Sequence, residues 1–395
     1  MTRRKVAVLG GSSPFAATLL DELGGGAVEA MTLSLFGRDR EALDLLATYG
    51  THRLGSLGWR VTGTADLAAA LDGADVVIHQ IRYGGLDGRA ADERLAARLG
   101  VPADETLGPG GLRAALRMAP GLSDLARALA THCPGAVVLN LTNPLSCSTA
   151  LLSRWAPGTT VGLCELPEAT VAEACAVLGV PAGDVDWEYT GLNHRGFVLR
   201  ILHGGRDLLP DLPGRLGGGD LGGITGPEIE RLGALPLKYF SLFTRPPPRP
   251  VSRAGVLVRT RRAILDELRA DPTASPPSLT DRRQPWYRDA VVPFLGALTS
   301  GTGTPVVVSV TDADGLAREH RADASAAGVE AHPRPVVPGP VAAWIERLEA
   351  HERLVLDAVL DPTPASIGAA LDADPLLPAG AGPAATRELL AGLPG

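Results

Sequence analysis

The first half of the chain alternates short apolar runs with stretches of helical spacing. Lys5–Leu9 (KVAVL), Met31–Phe36 (MTLSLF), Asp75–Ile81 (DVVIHQI), Ala136–Leu141 (AVVLNL) and Thr160–Leu163 (TVGL) are β-type runs with little alternation, the pattern of strands buried on both faces. Between them, Phe15–Leu23, Arg38–Tyr49, Asp92–Leu99 and Leu112–Thr131 read as helices. Strands that alternate with helices predict a parallel sheet with crossovers, a doubly wound α/β arrangement. From about Gly196 the pattern loosens. Gly214–Gly226 reads as a Gly-rich loop, and Arg245–Pro250 (RPPPRP) is a break that neither helix nor central strand tolerates. Arg259–Arg269, Trp286–Leu298 and the amphipathic Val341–Leu360 read as helices, Thr304–Val310 as a strand, and the Ala/Gly/Pro-rich Pro378–Gly395 is expected to fray. A doubly wound part over residues 1–163 followed by a mixed α+β part over 164–395 is the expected organisation.

Composition narrows the function. The 395 residues carry a formal net charge of −7, which argues against a nucleic-acid partner, since such a partner calls for clustered positive charge. Hydrophobic residues at 45% and charged residues at 21% are ordinary for a globular chain with a sizeable core. No apolar run approaches the ~20 residues of a membrane helix, and the VAVL stretch after the basic start is too short for a signal-peptide core. The 4 cysteines are too few for a disulfide framework in so long a chain and fit a reducing cytoplasm.

Four places carry candidate chemistry. Strand Lys5–Leu9 runs into Gly10-Gly11-Ser12-Ser13 and then a helix, the strand–turn–helix of a Rossmann-like dinucleotide site, although GGSSPFA lacks the full G-x-G-x-x-G. The acidic ribose contact expected after the second strand is missing from Phe36-Gly37-Arg38, and Arg38 stands where a 2′-phosphate could be met, so NADP stays open beside NAD. Cys164 (VGLCELP) and His194 (GLNHRGF) each follow a short β-type run. Both could lie at the carboxyl edge of the sheet, as half a metal shell with positions left for substrate or water. Taken alone, a buried inert thiol and a satisfied imidazole are the better explanation of both. Asn143, in LNLTNPLS, sits in an Asn-Pro turn from which its amide can reach a ligand, although by itself a plain turn is the better reading. Arg82 and Arg89, in QIRYGGLDGRAADER, are forks suited to a phosphate or carboxylate, with ion pairs among Arg89, Asp92, Glu93 and Arg94 as the bland alternative.

These pieces, in this order, resemble family 4 of the glycoside hydrolases, the NAD- and metal-dependent glycosidases. AVLGGSS, QIRYGGLDGRAADER, ETLGPGG, LTNP, GLCELP, GLNHRGF, GALPLKY, WYRDAV and AHER carry the resemblance, from residue 5 to about 360. It implies a lactate/malate dehydrogenase-like architecture, with residues 1–163 holding NAD(P) and 164–395 holding metal and substrate. It implies oxidation at sugar carbon 3 by NAD⁺, loss of the carbon-2 proton to a base, departure of the aglycone, addition of water and return of the hydride. A divalent metal, typically Mn²⁺, would stabilise the enediolate. By motif, Cys164 and His194 would bind the metal, Asn143 the substrate, and Tyr239 would be the base.

Departures qualify the expectation. The residue after the metal cysteine is Glu165, where the family commonly has Asp or Asn, and a carboxylate there could protonate the leaving oxygen. Phe240-Ser241-Leu242-Phe243 replaces the aromatic run with an Arg that serves phosphate recognition, so the usual 6-phospho-sugar preference is in question. The leading expectation is a cytoplasmic glycosidase acting on a hexoside, 6-phosphorylated or plain, and assembled as a homo-oligomer. The alternative is an NAD(P)-dependent sugar oxidoreductase or epimerase that uses the same carbon-3 oxidation without releasing an aglycone.

Overall fold

The computed structural model describes residues 4–245, 252–299 and 303–392. Most of the Pro-rich break, residues 246–250, lies outside them, as do the last three residues of the chain. A parallel sheet is built from β1 (Lys5–Leu9), β2 (Thr32–Phe36), β3 (Arg60–Thr64), β4 (Val76–His79), β5 (Val137–Asn140) and β6 (Thr160–Gly162) in the spatial order β3-β2-β1-β4-β5-β6. This is the doubly wound order with its switch point between β1 and β4. The sheet continues antiparallel beyond β6 through Thr304–Thr311, Ala317–Ser325, β7 (Asp186–Leu192), β8 (Arg195–His203) and Leu235–Pro236. The doubly wound expectation therefore holds, and the mixed second half extends the same sheet.

Side-chain alternation on β1 shows why its run is uniformly apolar. Val6 and Val8 pack into the core on one face, with the helices Ala16–Leu23 and Arg40–Leu54. Ala7 and Leu9 pack into the core on the other face, against the helices Gly108–His132 and Leu145–Trp155. All four are fully buried. A third core joins the helix Leu166–Leu178 to β7, β8 and the segment around Leu235.

Register sets the site. Leu9 pairs with Phe36 on one side and His79 on the other, His79 pairs with Asn140, and Asn140 pairs with Gly162. The residues that follow, Gly10, Gly37, Gln80, Leu141 and Leu163, therefore leave the sheet side by side at its carboxyl edge.

Several elements differ from the pattern reading. β3 (RVTGT) is a half-exposed edge strand whose glycine and threonines hide its apolar signal. Ala317–Ser325 (AREHRADAS) reads as polar yet is a buried strand, because its charges are paired: Arg318 reaches Glu349 at 2.6 Å and Asp314 at 2.7 Å. The helices around Asp92 and Leu112 begin earlier, at Gly85 and Gly108. The Gly-rich stretch holds a short helix, Leu212–Leu216, and a small hairpin pairing Asp220–Leu221 with Ile224–Thr225. The end expected to fray forms the helix Gly382–Leu390, with Ala385 and Leu389 fully buried. The amphipathic helix, Gly339–Leu360, buries Val355, Leu356 and Val359 in this chain's own core. Among the described residues no helix is long and apolar enough to cross a membrane.

Candidate functional site

One cleft of about 660 Å³ runs along the carboxyl edge of the sheet. Gly10, Ser12, Ser13 and Arg38 line it at the nucleotide end, and Arg82, Arg89, Asn143, Cys164, Glu165, His194 and Tyr239 line it at the other. Gly11 lies just behind, and a Cβ there would come within 2.9 Å of Leu35 Cα. Gly10 has φ +94, and its missing Cβ would lie 2.9 Å from the Gln80 carbonyl oxygen, so only glycine allows the turn to run this close to β4. Both amides, Gly10 N–H and Gly11 N–H, donate to the Phe36 carbonyl at 3.0 and 2.7 Å, which fastens the turn to the end of β2. This close-set turn fits a dinucleotide's phosphates.

Cys164 leaves β6, and His194 occupies the tight turn between β7 and β8 with φ +63, a left-handed backbone unusual outside glycine. Two contacts brace that turn. Asn193 Nδ2 donates to Glu319 Oε1 at 2.9 Å, and Asn193 N–H donates to Ser146 Oγ at 3.3 Å. Burial holds His194 neutral by lowering its pKa to about 3, and its buried Nδ1 has no hydrogen-bond partner among the described residues. A neutral imidazole with an unsatisfied nitrogen, a thiol and the Asn143 amide line the same cleft, donors of the kind that suit a divalent transition metal. Among the described residues no three His, Cys, Asp or Glu side chains group to hold a metal, so oxygens of a bound substrate would have to complete the shell.

Tyr239 arrives through strand pairing. Leu235 pairs with Val198 and Pro236 with Phe197 on β8, and Leu237 N–H donates to the Gly196 carbonyl at 3.0 Å. The next turn, Lys238–Phe240, then lays the Tyr239 ring on His194, with centroids 4.2 Å apart and planes within 10°. Burial first, then the carboxylates of Asp104, Glu105 and Glu165 and the nearby Cys164, hold the Tyr239 hydroxyl well above its ordinary pKa, so it needs a neighbouring cation to act as a base. Burial likewise raises the Glu165 carboxyl, whose Oε2 accepts a hydrogen bond from Cys164 Sγ at 3.8 Å.

Arg82 and Arg89 both donate to Glu105, Arg82 Nη1 at 2.5 Å. Asn143 Nδ2 donates to the other Glu105 oxygen at 3.3 Å. Burial pushes the Glu105 carboxyl up, but Arg82 and Arg89 outweigh it and hold it well below the usual range. Of the ion pairs expected on this helix, Arg89–Glu93 forms at 2.9 Å, whereas Asp92 is held by Arg117.

Three participants escaped the sequence reading. Glu105 lies in the quoted ETLGPGG, but its arginine partners are 23 and 16 residues away in sequence, so only the fold brings them to it. Arg282 lines the same cleft 4.5 Å over the Phe15 ring, where burial lowers its pKa to about 10, and nothing in its local sequence marks it. Glu319 hides in the polar-looking strand Ala317–Ser325 and accepts from the Tyr189 hydroxyl as well as from Asn193.

Known proteins resemble this chain in sequence and in fold. The model "Family 4 glycosyl hydrolase" matches residues 5–180. A probable 6-phospho-beta-glucosidase of Bacillus subtilis (strain 168) is 25% identical over 95% of this chain and 92% of its own length. An alpha-galacturonidase of the same organism is 31% identical over 52% of this chain, which covers 48% of that protein. In three dimensions, a 6-phospho-beta glucosidase of Thermotoga maritima, solved with NAD and glucose-6-phosphate, superposes with a TM-score of 0.85 over 98% of each chain at 21% identity. Over residues 5–180 the chain matches family 4 of the glycosyl hydrolases, and over nearly its whole length it is similar to a probable 6-phospho-beta-glucosidase and shares the fold of a solved 6-phospho-beta glucosidase.

Proposed function

We propose that this chain is a glycosidase acting on an anionic hexoside by redox-assisted elimination, with a nicotinamide dinucleotide at the Gly10–Ser13 turn and a divalent metal, Mn²⁺ or similar, at Cys164 and His194. The observation that carries the reading is Tyr239 stacked on His194 in the cleft that also holds Cys164, Asn143 and the glycine turn. When bound, the cofactor would supply reversible hydride acceptance at sugar carbon 3, and the metal would supply charge to the oxygens at carbons 2 and 3.

The chain's own residues do the rest. Cys164 and His194 would hold the metal, and Asn143 would orient the sugar in the same cleft. The Tyr239 phenolate takes the proton from carbon 2, its pKa brought down by the positive charge next to it. Glu165, kept protonated more readily by burial, gives its proton to the departing oxygen at carbon 1 and takes one back from the incoming water. Arg82, Arg89 and Arg282 give the cleft a cationic end that suits a phosphate or a carboxylate at sugar carbon 6. The division of labour between residues 1–163 and 164–395 follows: dinucleotide in the first, metal and leaving group in the second.

The test is hydrolysis of chromogenic hexosides, plain, 6-phosphorylated and 6-carboxylated, with NAD⁺ or NADP⁺ and Mn²⁺ under reducing conditions. Release that requires both additives and prefers an anionic sugar is expected. Net accumulation of NAD(P)H or of an epimer with no aglycone released would overturn the glycosidase reading in favour of a sugar oxidoreductase. For Glu165, the Glu165→Gln variant should lose far more activity on poor leaving groups than on good ones, and a uniform loss would remove it from the acid role.

A further inference from the structure

We infer that the adenosine end of the cleft is built for a 2′-phosphorylated dinucleotide, so that this chain takes NADP(H) in preference to NAD(H); the inference rests on the proposed dinucleotide site. Selection for the unphosphorylated cofactor normally uses a carboxylate at the end of the second strand, which bonds the ribose hydroxyls and repels a 2′-phosphate. Here that place cannot carry any side chain. A Cβ on Gly37 would lie 2.1 Å from Ser12 Oγ and 2.8 Å from Ser12 N, because the Ser12 side chain already fills the space. The loss of the carboxylate is thus locked in by the packing of the glycine turn against β2.

The next acidic residue, Asp39, does not replace it. Its Oδ1 accepts from Ala42 N–H at 3.1 Å and caps the helix Arg40–Leu54, while its Oδ2 pairs with Arg261 Nη2 at 3.1 Å. Both oxygens are engaged, and the charge is offset by the guanidinium. Arg38 is exposed and lines the cleft beside Gly37 and Ser12, and Arg261 lines it from the helix Arg253–Ala270. Among the described residues, the ribose end therefore offers the Arg38 guanidinium, a serine hydroxyl and an Asp39 carboxylate already paired with Arg261. A phosphate monoester with its charge near −2 fits that set, and a bare 2′-hydroxyl leaves Arg38 without a use.

The experiment is calorimetric titration of the purified chain with NADP⁺, NAD⁺, 2′,5′-ADP and 5′-AMP, on the natural sequence and on Arg38→Ala. NADP⁺ is expected to bind about tenfold or more tighter than NAD⁺, the worth of one charge-assisted contact. Arg38→Ala should lower NADP⁺ affinity about tenfold more than it lowers NAD⁺ affinity, and 2′,5′-ADP should outbind 5′-AMP on the natural chain only. NAD⁺ binding as tightly as NADP⁺, or a preference that survives Arg38→Ala, would overturn the inference and leave the proposed function standing. Failure of both dinucleotides to bind would instead overturn the dinucleotide site itself.

Discussion

Tyr239 and His194 lie face to face, 4.2 Å between ring centroids and 10° between planes, although 45 positions of chain separate them. The proposed base is thereby fixed on the proposed metal ligand, so that a charge held by His194 falls directly beside the phenol whose pKa it must lower. Tyr239→Phe keeps the ring and the stack and removes the hydroxyl. We expect turnover to fall by about 10²–10⁴-fold, the usual worth of a positioned acid or base. Manganese affinity by calorimetry should be nearly unchanged, and exchange of the carbon-2 proton with deuterated solvent should be lost. Turnover that survives, or metal affinity that collapses, would show that Tyr239 works through the ligand rather than on the substrate.

Glu319 braces the His194 turn without facing the substrate. It accepts from Asn193 Nδ2 at 2.9 Å and from the Tyr189 hydroxyl. Partners that orient a metal ligand are worth about 10–100-fold in metal affinity. We expect Glu319→Ala to weaken Mn²⁺ binding by that order while the dinucleotide still binds, and Glu319→Gln, which keeps one acceptor, to recover part of the loss. Equal metal affinity in all three proteins would rule the bracing role out.

Arg195, next to His194, is bound to Glu352 at 2.6 Å with both side chains almost wholly buried. Removing one partner leaves a buried charge uncompensated, so Glu352→Ala should cost about 3–5 kcal/mol in denaturant unfolding. Replacing both, as Arg195→Met with Glu352→Leu, should cost much less. A double variant as unstable as the single one would mean that the pair is held for its geometry and not for mutual neutralisation.

Glu168 gives a pH dependence of stability. Burial raises its carboxyl to about 8, Oε1 accepts from Val307 N–H at 3.0 Å, and Oε2 has no hydrogen-bond partner among the described residues. A folded-state pKa above the unfolded value of about 4.3 means that the fold favours the neutral acid. Its contribution is fully present below the unfolded pKa and is lost as pH rises toward 8, at up to about 1.4 kcal/mol per pH unit. Glu168→Gln stays neutral and can still accept from Val307, so its thermal unfolding midpoint should vary less than the natural protein's between pH 5 and 8. Parallel curves for the two proteins would show that Glu168 is ionised in the fold.

β1, β2, β4, β5 and β6 were legible because burial on both faces writes itself as an apolar run: KVAVL serves one core through Val6 and Val8 and another through Ala7 and Leu9. Ala317–Ser325 was not legible, because partners remote in sequence satisfy its charged positions, Glu349 for Arg318 and Tyr189 and Asn193 for Glu319, and no local pattern records such a partner. Arg282 and Glu319 were missed for the same reason: their significance is a neighbourhood, not a motif.

By itself the sequence determined the alternating strands and helices, the glycine turn after β1, and the identity of the thiol, imidazole, amide and phenol available for chemistry, since these are local properties of residue type and spacing. Only the tertiary structure decided that they meet. Strand register brings Gly10, Gly37 and Gln80 out of the sheet side by side, the β7–β8 turn holds His194 in a left-handed backbone, and the pairing of Leu235–Pro236 with β8 sets Tyr239 upon it. The Ser12 side chain seated in the space of a residue-37 side chain is likewise a fact of packing, where two segments of chain compete for one volume and the sequence shows only a glycine.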